Sequence, residues 1–335
     1  MRKKPVLVAL FLFCGAVWTA VAQPTWAVKQ TFHIGGEGGW DYVTVDATSH
    51  RLFVTRSTHT QAIDTESGKL IADIPGQKSA HGVAIVPKLN RGFITDGGGS
   101  GAIVVFDLTT YAVLGRLTAL PDADGIIYDS ATDLVLAVSG DGNALLTFSP
   151  EIDPKAGTIG APITLPGAPE FLAADGAGKA FVNLVDKNAV AVVDLKSRQV
   201  LTQWAVSPGG HPVGMAIDPH NHRLFIGCRN PQKLIVMDTD TGKVEAALPI
   251  GAGVDAALFI DGQAFASCHD GSLTVIGERD GKFEIQQVVK TLEGARTMGG
   301  IRGHIYLPTA ELEPAATGRP KPKPGTFMIV HVEQR

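Results

Sequence analysis

Cysteine is scarce: the 335 residues hold three, Cys14, Cys228 and Cys268. That excludes a small scaffold stapled by disulfides, which needs a dense cysteine framework. Closely spaced Cys and His pairs of a zinc site are missing, and so is a CxxCH haem attachment. No G-x-S-x-G stretch marks a catalytic serine. Charge of one sign is lacking too: a formal net charge of −4 supplies neither a nucleic-acid footprint nor a membrane-coating surface. Beyond the first 22 residues no segment is long and apolar enough to span a bilayer, and none sustains a helical period.

What is present begins at the N-terminus. Arg2, Lys3 and Lys4 precede an apolar stretch from Val6 to Val17, and Ala20-Val21-Ala22 stands just before Gln23. This is the pattern of a signal peptide cleaved after Ala22, so residues 1–22 are expected to be removed and the protein to be periplasmic or secreted. The apolar run is short for a retained anchor. Phe13 before Cys14 departs from a lipobox, which needs a small residue there, and the twin-arginine pattern is absent.

The rest of the chain repeats itself. Asp41-Tyr42-Val43-Thr44-Val45-Asp46, then Arg51-Leu52-Phe53-Val54-Thr55, then Ala62-Ile63-Asp64 and Ser67-Gly68-Lys69 form one round. Similar openings stand near residues 41, 81, 124, 170, 213, 255 and 296, a spacing of about 40–46 residues that fits four-stranded propeller blades. Each round holds short runs of β-branched and aromatic residues separated by turn residues. Asp64 and Asp238 sit where Asp caps a turn, with Gly68 and Gly242 available for positive φ. Residues 23–335 are therefore expected to fold as a single all-β, seven-bladed β-propeller. Lys29–Ile34 is an unpaired strand before the first blade, and the last blade lacks an outer strand after Val332. Pairing the two closes the ring.

"RLFVTR" at Arg51–Arg56, "GFITDG" at Gly92–Gly97, "AFVNLV" at Ala180–Val185 and "RLFIGC" at Arg223–Cys228 resemble the YVTN repeats of YncE-like β-propellers. The resemblance covers essentially the whole mature chain, and the Gly-His and Trp-Asp marks of WD40 repeats are absent. "GARTM" at Gly294–Met298, "YLPTAEL" at Tyr306–Leu312 and "PGTFMIV" at Pro324–Val330 are similar to an exported bacterial branch of that family. The resemblance implies fold and compartment; that branch has no agreed activity to carry over. DNA binding, associated with some YncE-like proteins, finds little support in the mild charge or in the few aromatics beside basic residues.

A site is expected at one mouth of the central channel, where inner-strand openings and the loops after second strands share a face. The openings supply the candidate ligand-binding residues Asp41, His81, Asp124, Glu170, His211, Asp255 and Arg296. The loops add Arg56 and His59, Asp96, Asp141, Asp186 and Lys187, Arg229, and His269 with Asp270. Any one of these residues could equally tie neighbouring blades through backbone hydrogen bonds. As a set they suit a polar ligand, with Arg296 as the anion anchor unless Asp41, Asp124 and Asp255 neutralise it.

Two readings of the site stay open. In one the protein is a binding or scaffold protein. In the other it resembles the seven-bladed lactonases, with Glu170 or His81 activating water and Arg296 holding a small anionic substrate. A third use of the surface is a protein-docking platform on the long loop Pro308–Gly325, which Pro314, Pro320, Pro322 and Pro324 stiffen towards polyproline II. No cofactor is expected. A metal held by His81, Asp124, Glu170 and Asp255 leaves no spacing to test, because the ligands belong to different blades, so no metal is expected either. Cys228 and Cys268 occupy equivalent points of neighbouring blades, about 10 Å apart by sheet spacing, too far for a disulfide. They are expected as free, partly buried thiols. The partner is a small polar ligand or a protein, nucleic acid is not expected, and the chain is expected to be monomeric.

Overall fold

Phenylalanine recurs at the centre of the second strand-like run, at Phe53, Phe93, Phe181, Phe225 and Phe265, and each is fully buried. An alternating strand places such a ring on one face, where it must meet another sheet. Phe53 packs on Phe106 with centroids 5.5 Å apart, Phe93 on Phe148 at 5.6 Å, and Phe225 on Phe259 at 5.0 Å. Burial of one such ring contributes roughly 1.5–3 kcal/mol. Repeated around a circle, these contacts make sheets stack face to face as blades.

The computed structural model describes residues 25–314 and 320–335. The expected signal segment, 1–22, lies outside them. The fold is a seven-bladed propeller of four-stranded antiparallel blades. Blades three to six are separate sheets whose inner strands are Ala123–Asp129, Pro169–Ala174, Pro212–Asp218 and Val254–Ile260. Blades one and two share the 17-residue strand Leu70–Val86. Its first part pairs as the outer strand of blade one (Ile63 with Leu70, His59 with Pro75). Its second part pairs as the inner strand of blade two (Val83 with Ile94, Val86 with Arg91).

Blade seven is built from both ends of the chain. Gly299–Ile301, His304–Thr309 and Met328–Gln334 are its inner three strands, and Trp26–His33 pairs with Met328–Gln334 as the fourth. The closing strand is also pinned by Trp26, whose indole N–H donates to Gln263 Oε1 at 2.7 Å and whose ring meets Phe265 at 4.9 Å. Among the described residues no helix is long and apolar enough to cross a membrane.

Neighbouring blades are tied by a repeated polar contact. In four blades a residue at or next to the end of the second strand donates from its side chain to a carbonyl on or just before the next inner strand. Thr55 Oγ1 donates to His81 O at 2.7 Å, Thr95 Oγ1 to Asp124 O at 2.6 Å, Asn183 Nδ2 to Val213 O at 2.8 Å and Ser267 Oγ to Arg296 O at 2.6 Å. Thr297 Oγ1 reaches Asp41 O at 2.7 Å and joins blade seven to blade one. In blade five the equivalent residue is Gly227, which has no side chain to give. There Arg229 Nε donates to Val254 O at 3.0 Å instead. In blade three Ser139 Oγ donates to Pro121 O of its own blade instead, so every opening but that of blade four is held through its backbone, which leaves the side chains to the channel mouth.

The turns match their sequence pattern. Asp64 accepts the N–H of Glu66 and Ser67, Asp238 those of Asp240 and Thr241, and Gly68 and Gly242 take φ of 67° and 72°. His50 and His222 lie in the turns before second strands with φ of 52° and 55°. Cys228 and Cys268 are free and completely buried rather than partly so, and burial pushes both thiols up to about 12.

Candidate functional site

Each inner strand begins at the same end of the channel, so six opening side chains converge there. His81 sits between two carboxylates. Its Nδ1 is 2.7 Å from Asp41 Oδ2 and 3.5 Å from Asp124 Oδ1, and its Nε2 is 3.0 Å from Ser79 Oγ. On the far side Asp255 takes two guanidiniums, Arg296 Nε on one oxygen at 2.5 Å and Arg229 Nη2 on the other. Glu170 stands between the groups, 4.0 Å from Arg229. These side chains remain in reach of solvent, from Asp255 at 10 % exposure to Glu170 at 30 %.

The floor is Tyr42, which the sequence reading passed over. Its ring lies 4.7 Å from Phe171, and below it the channel narrows to a cavity of about 60 Å³ lined by Tyr42, Ile126, Phe171, Met215 and Met298. Burial, then the charges of Asp124, Asp255, Asp41 and Glu170, raise the Tyr42 phenol well above its ordinary value.

The same crowding governs the acids. Burial, and then Asp41, raise Asp124 well above the usual carboxylate range. Asp41 is raised by burial, with His81 opposing. His81 is pushed up to about 9: burial favours the neutral ring, but the hydrogen bond to Asp41 and the charges of Asp124 and Asp41 outweigh it. Glu170 is raised to about 7, first by burial and then by Asp255, with Arg229 opposing.

Glu170 therefore holds its proton in the folded chain at pH values where the unfolded chain has released it. A raised carboxyl weakens folding as pH climbs from about 4.5 to about 7, and the penalty is complete above that window. Glu170→Gln is expected to change stability little near about pH 5 and to raise it by about 1–2 kcal/mol near about pH 8, the figure being reduced for partial solvent access. Urea unfolding at both pH values measures it; an equal effect at the two would refute the raised carboxyl.

One candidate lies outside the ring, and another is paired within it. His211 is exposed at the rim with φ of 53°. Its backbone N–H is held by Asn188 Oδ1 at 2.7 Å, and its imidazole is shifted down by burial and by Arg229. Blade five contributes Arg229 to the ring instead, because a seven-atom side chain from the second strand spans what His211 does not. Arg296 is no free anion anchor: it is paired to Asp255 and lies 5.8 Å over the Trp40 ring.

Several of the loop residues are structural. Asp96 Oδ1 accepts Lys78 and Ser79 N–H, Asp186 accepts Ala168 N–H, and Asp270 accepts Ala252 N–H. Arg56 is completely buried. Within the blade-seven loop, Leu312–Glu313 pairs with Lys321–Pro322 as a short antiparallel ribbon, not a polyproline II arm. Lys323 fastens it through its backbone N–H to Glu311 O and its ammonium to Glu311 Oε2. Residues 315–319, between these strands, lie outside the described residues.

No family model matches the chain, and no curated protein matches it. Among solved structures, a chain of Kuenenia stuttgartiensis hydrazine synthase is similar with a TM-score of 0.69 at 12 % identity, over 82 % of this chain and 94 % of that one. At that identity the likeness shows the propeller fold alone.

Proposed function

We propose that this protein is an exported, YncE-like propeller that binds a small polar ligand carrying positive charge at the channel mouth, as a binding or scaffold protein. The observation that carries the reading is the ring itself. Both arginines are turned onto Asp255, while Asp124 Oδ1 is buried with no hydrogen-bond partner and Glu170 keeps 4.0 Å from the nearest guanidinium. The unspent groups are acids, and acids recognise cations. Export rests on the charged, apolar and A-x-A pattern of residues 1–22, and a mature N-terminus at Gln23 is its direct check.

The test is a thermal-shift and calorimetry panel of small amines, divalent cations and small carboxylates on the purified protein. Cations are expected to bind, and the Asp124→Asn/Glu170→Gln double variant to lose that binding, with the Arg229–Asp255–Arg296 group left in place. Preference for carboxylates, or binding unchanged in the double variant, would sink the reading. One observation favours the lactonase-like alternative: a carboxyl near neutrality in a partly closed site is suited to general acid–base work. Turnover of lactones or esters that disappears in Glu170→Gln would establish that alternative.

A further inference from the structure

We propose that Asp41 Oδ2, His81 Nδ1 and Asp124 Oδ1 bind one divalent transition-metal ion such as Zn²⁺ or Mn²⁺. The proposal rests on the channel-mouth reading and names its ligand. The three ligand atoms come from the first three blades and lie within 4.8 Å of one another. Metal–ligand bonds of about 2.0–2.2 Å place neighbouring ligand atoms about 3.0–3.5 Å apart in octahedral or tetrahedral geometry. The separations of 2.7 and 3.5 Å from His81 Nδ1 to the two carboxylate oxygens need adjustment by only a few tenths of an ångström.

Two features beyond the proximity of two acids point to an ion. Asp124 Oδ1 is buried with no hydrogen-bond partner, an acceptor left without a donor. A metal-bound histidine has its second ring nitrogen held by an outer partner, and Ser79 Oγ is placed for this, 3.0 Å from Nε2. Without an ion His81 Nδ1 hydrogen-bonds Asp41; a bound ion would take the place of that proton, with Nε2–H donated to Ser79 and the Nδ1 lone pair turned to the metal. Ser79 is itself fixed, its N–H on Asp96 Oδ1 at 2.8 Å and its carbonyl on Gly97 N–H at 2.8 Å.

The backbones of all three ligands are pinned from the neighbouring blade by Thr297, Thr55 and Thr95. Gly97 lies close beside them: a Cβ there would stand 3.0 Å from His81 Nε2, a tight contact. Two carboxylates and a neutral imidazole balance a divalent charge. A mixed nitrogen and oxygen set suits Zn²⁺ or Mn²⁺ better than Ca²⁺, which takes oxygen ligands.

Calorimetric titration of the chelator-stripped protein with Zn²⁺ and Mn²⁺ tests the site. One ion per chain is expected, lost in His81→Gln and at least about tenfold weaker in Asp124→Asn. Ser79→Ala leaves every ligand and the packing intact, so it serves as the control against misfolding. As a positioning residue it is expected to cost about tenfold in affinity. No stoichiometric binding, or equal affinity in all three variants, overturns the metal site. If no metal binds while an organic amine still binds in a Glu170-dependent way, the metal site is wrong and the channel-mouth reading stands; if neither binds, both fall.

Discussion

Asp255→Ala is expected to cost about 3–5 kcal/mol of folding stability, because removing one partner of a buried ion group leaves its counter-charges uncompensated. Asp255 is buried and is the single anion on which Arg229 and Arg296 both close, one on each carboxylate oxygen. Without it two guanidiniums face each other in the same partly closed mouth. Burial works against the Arg296 charge, and the charges of Asp255 and Asp41 more than offset it, so its pKa lies above the ordinary arginine value. Arg229 also ties blade five to blade six through Val254 O, so its displacement loosens a junction as well as the ring. Urea unfolding measures the loss, and adding Arg296→Leu to Asp255→Ala should recover part of it by removing one stranded charge. A single-variant cost below about 1 kcal/mol, the worth of an exposed pair, would refute this account.

Arg56→Ala should be similarly severe, at about 3–5 kcal/mol, for a different reason. Arg56 is fully buried, and no carboxylate pairs with it among the described residues. Its guanidinium donates to backbone oxygens of the loop before the first blade: Nε to Gly39 O at 2.9 Å and Nη2 to Glu37 O at 2.8 Å. Nη1 reaches Gln61 Oε1 at 2.9 Å, and the group lies 3.6 Å over the Phe327 ring. Burial lowers its pKa to about 10, which leaves it charged at neutral pH. The alanine variant strands several carbonyls at once and opens a cavity against Phe327. Arg56→Lys retains charge but offers no planar fork, so it should restore only part of the loss. Because this loop runs directly into Trp40 and Asp41, faster proteolysis around residues 35–39 should accompany the lower unfolding midpoint. A change within about 0.5 kcal/mol would place Arg56 with ordinary surface residues and end the argument.

Arg56 also marks the limit of what the sequence discloses. Its repeat position placed it among mouth-side residues, but whether a long side chain turns outward or back under a loop is decided by packing between distant segments. The blades themselves were legible because each carries its own phenylalanine, its own turn and its own period. Six opening residues of the ring were legible for the same reason. The seventh, Arg229, was in view only as one of the same-face loop residues: Gly227 leaves blade five without a side chain to tie its neighbour, and Arg229 fills that role from two residues on. Tyr42 left no polar signature, since it follows Asp41 inside an apolar run. Ser79 could have been found, because residues two apart on a strand share a face and His81 was already in view. The grouping of Asp41, His81 and Asp124 joins three blades and leaves no local spacing to read.

Ring closure sets an order of events in time. Trp26–His33 emerges among the first residues of the folded domain, and its pairing partner Met328–Gln334 among the last. Until that late strand arrives, blade seven lacks its third strand and the early strand has nothing to pair with. Bringing such distant ends together carries a loop-closure entropy cost, and contacts of this range slow folding. A chain still being synthesised therefore stays unclosed until Met328–Gln334 is available to pair with Trp26–His33.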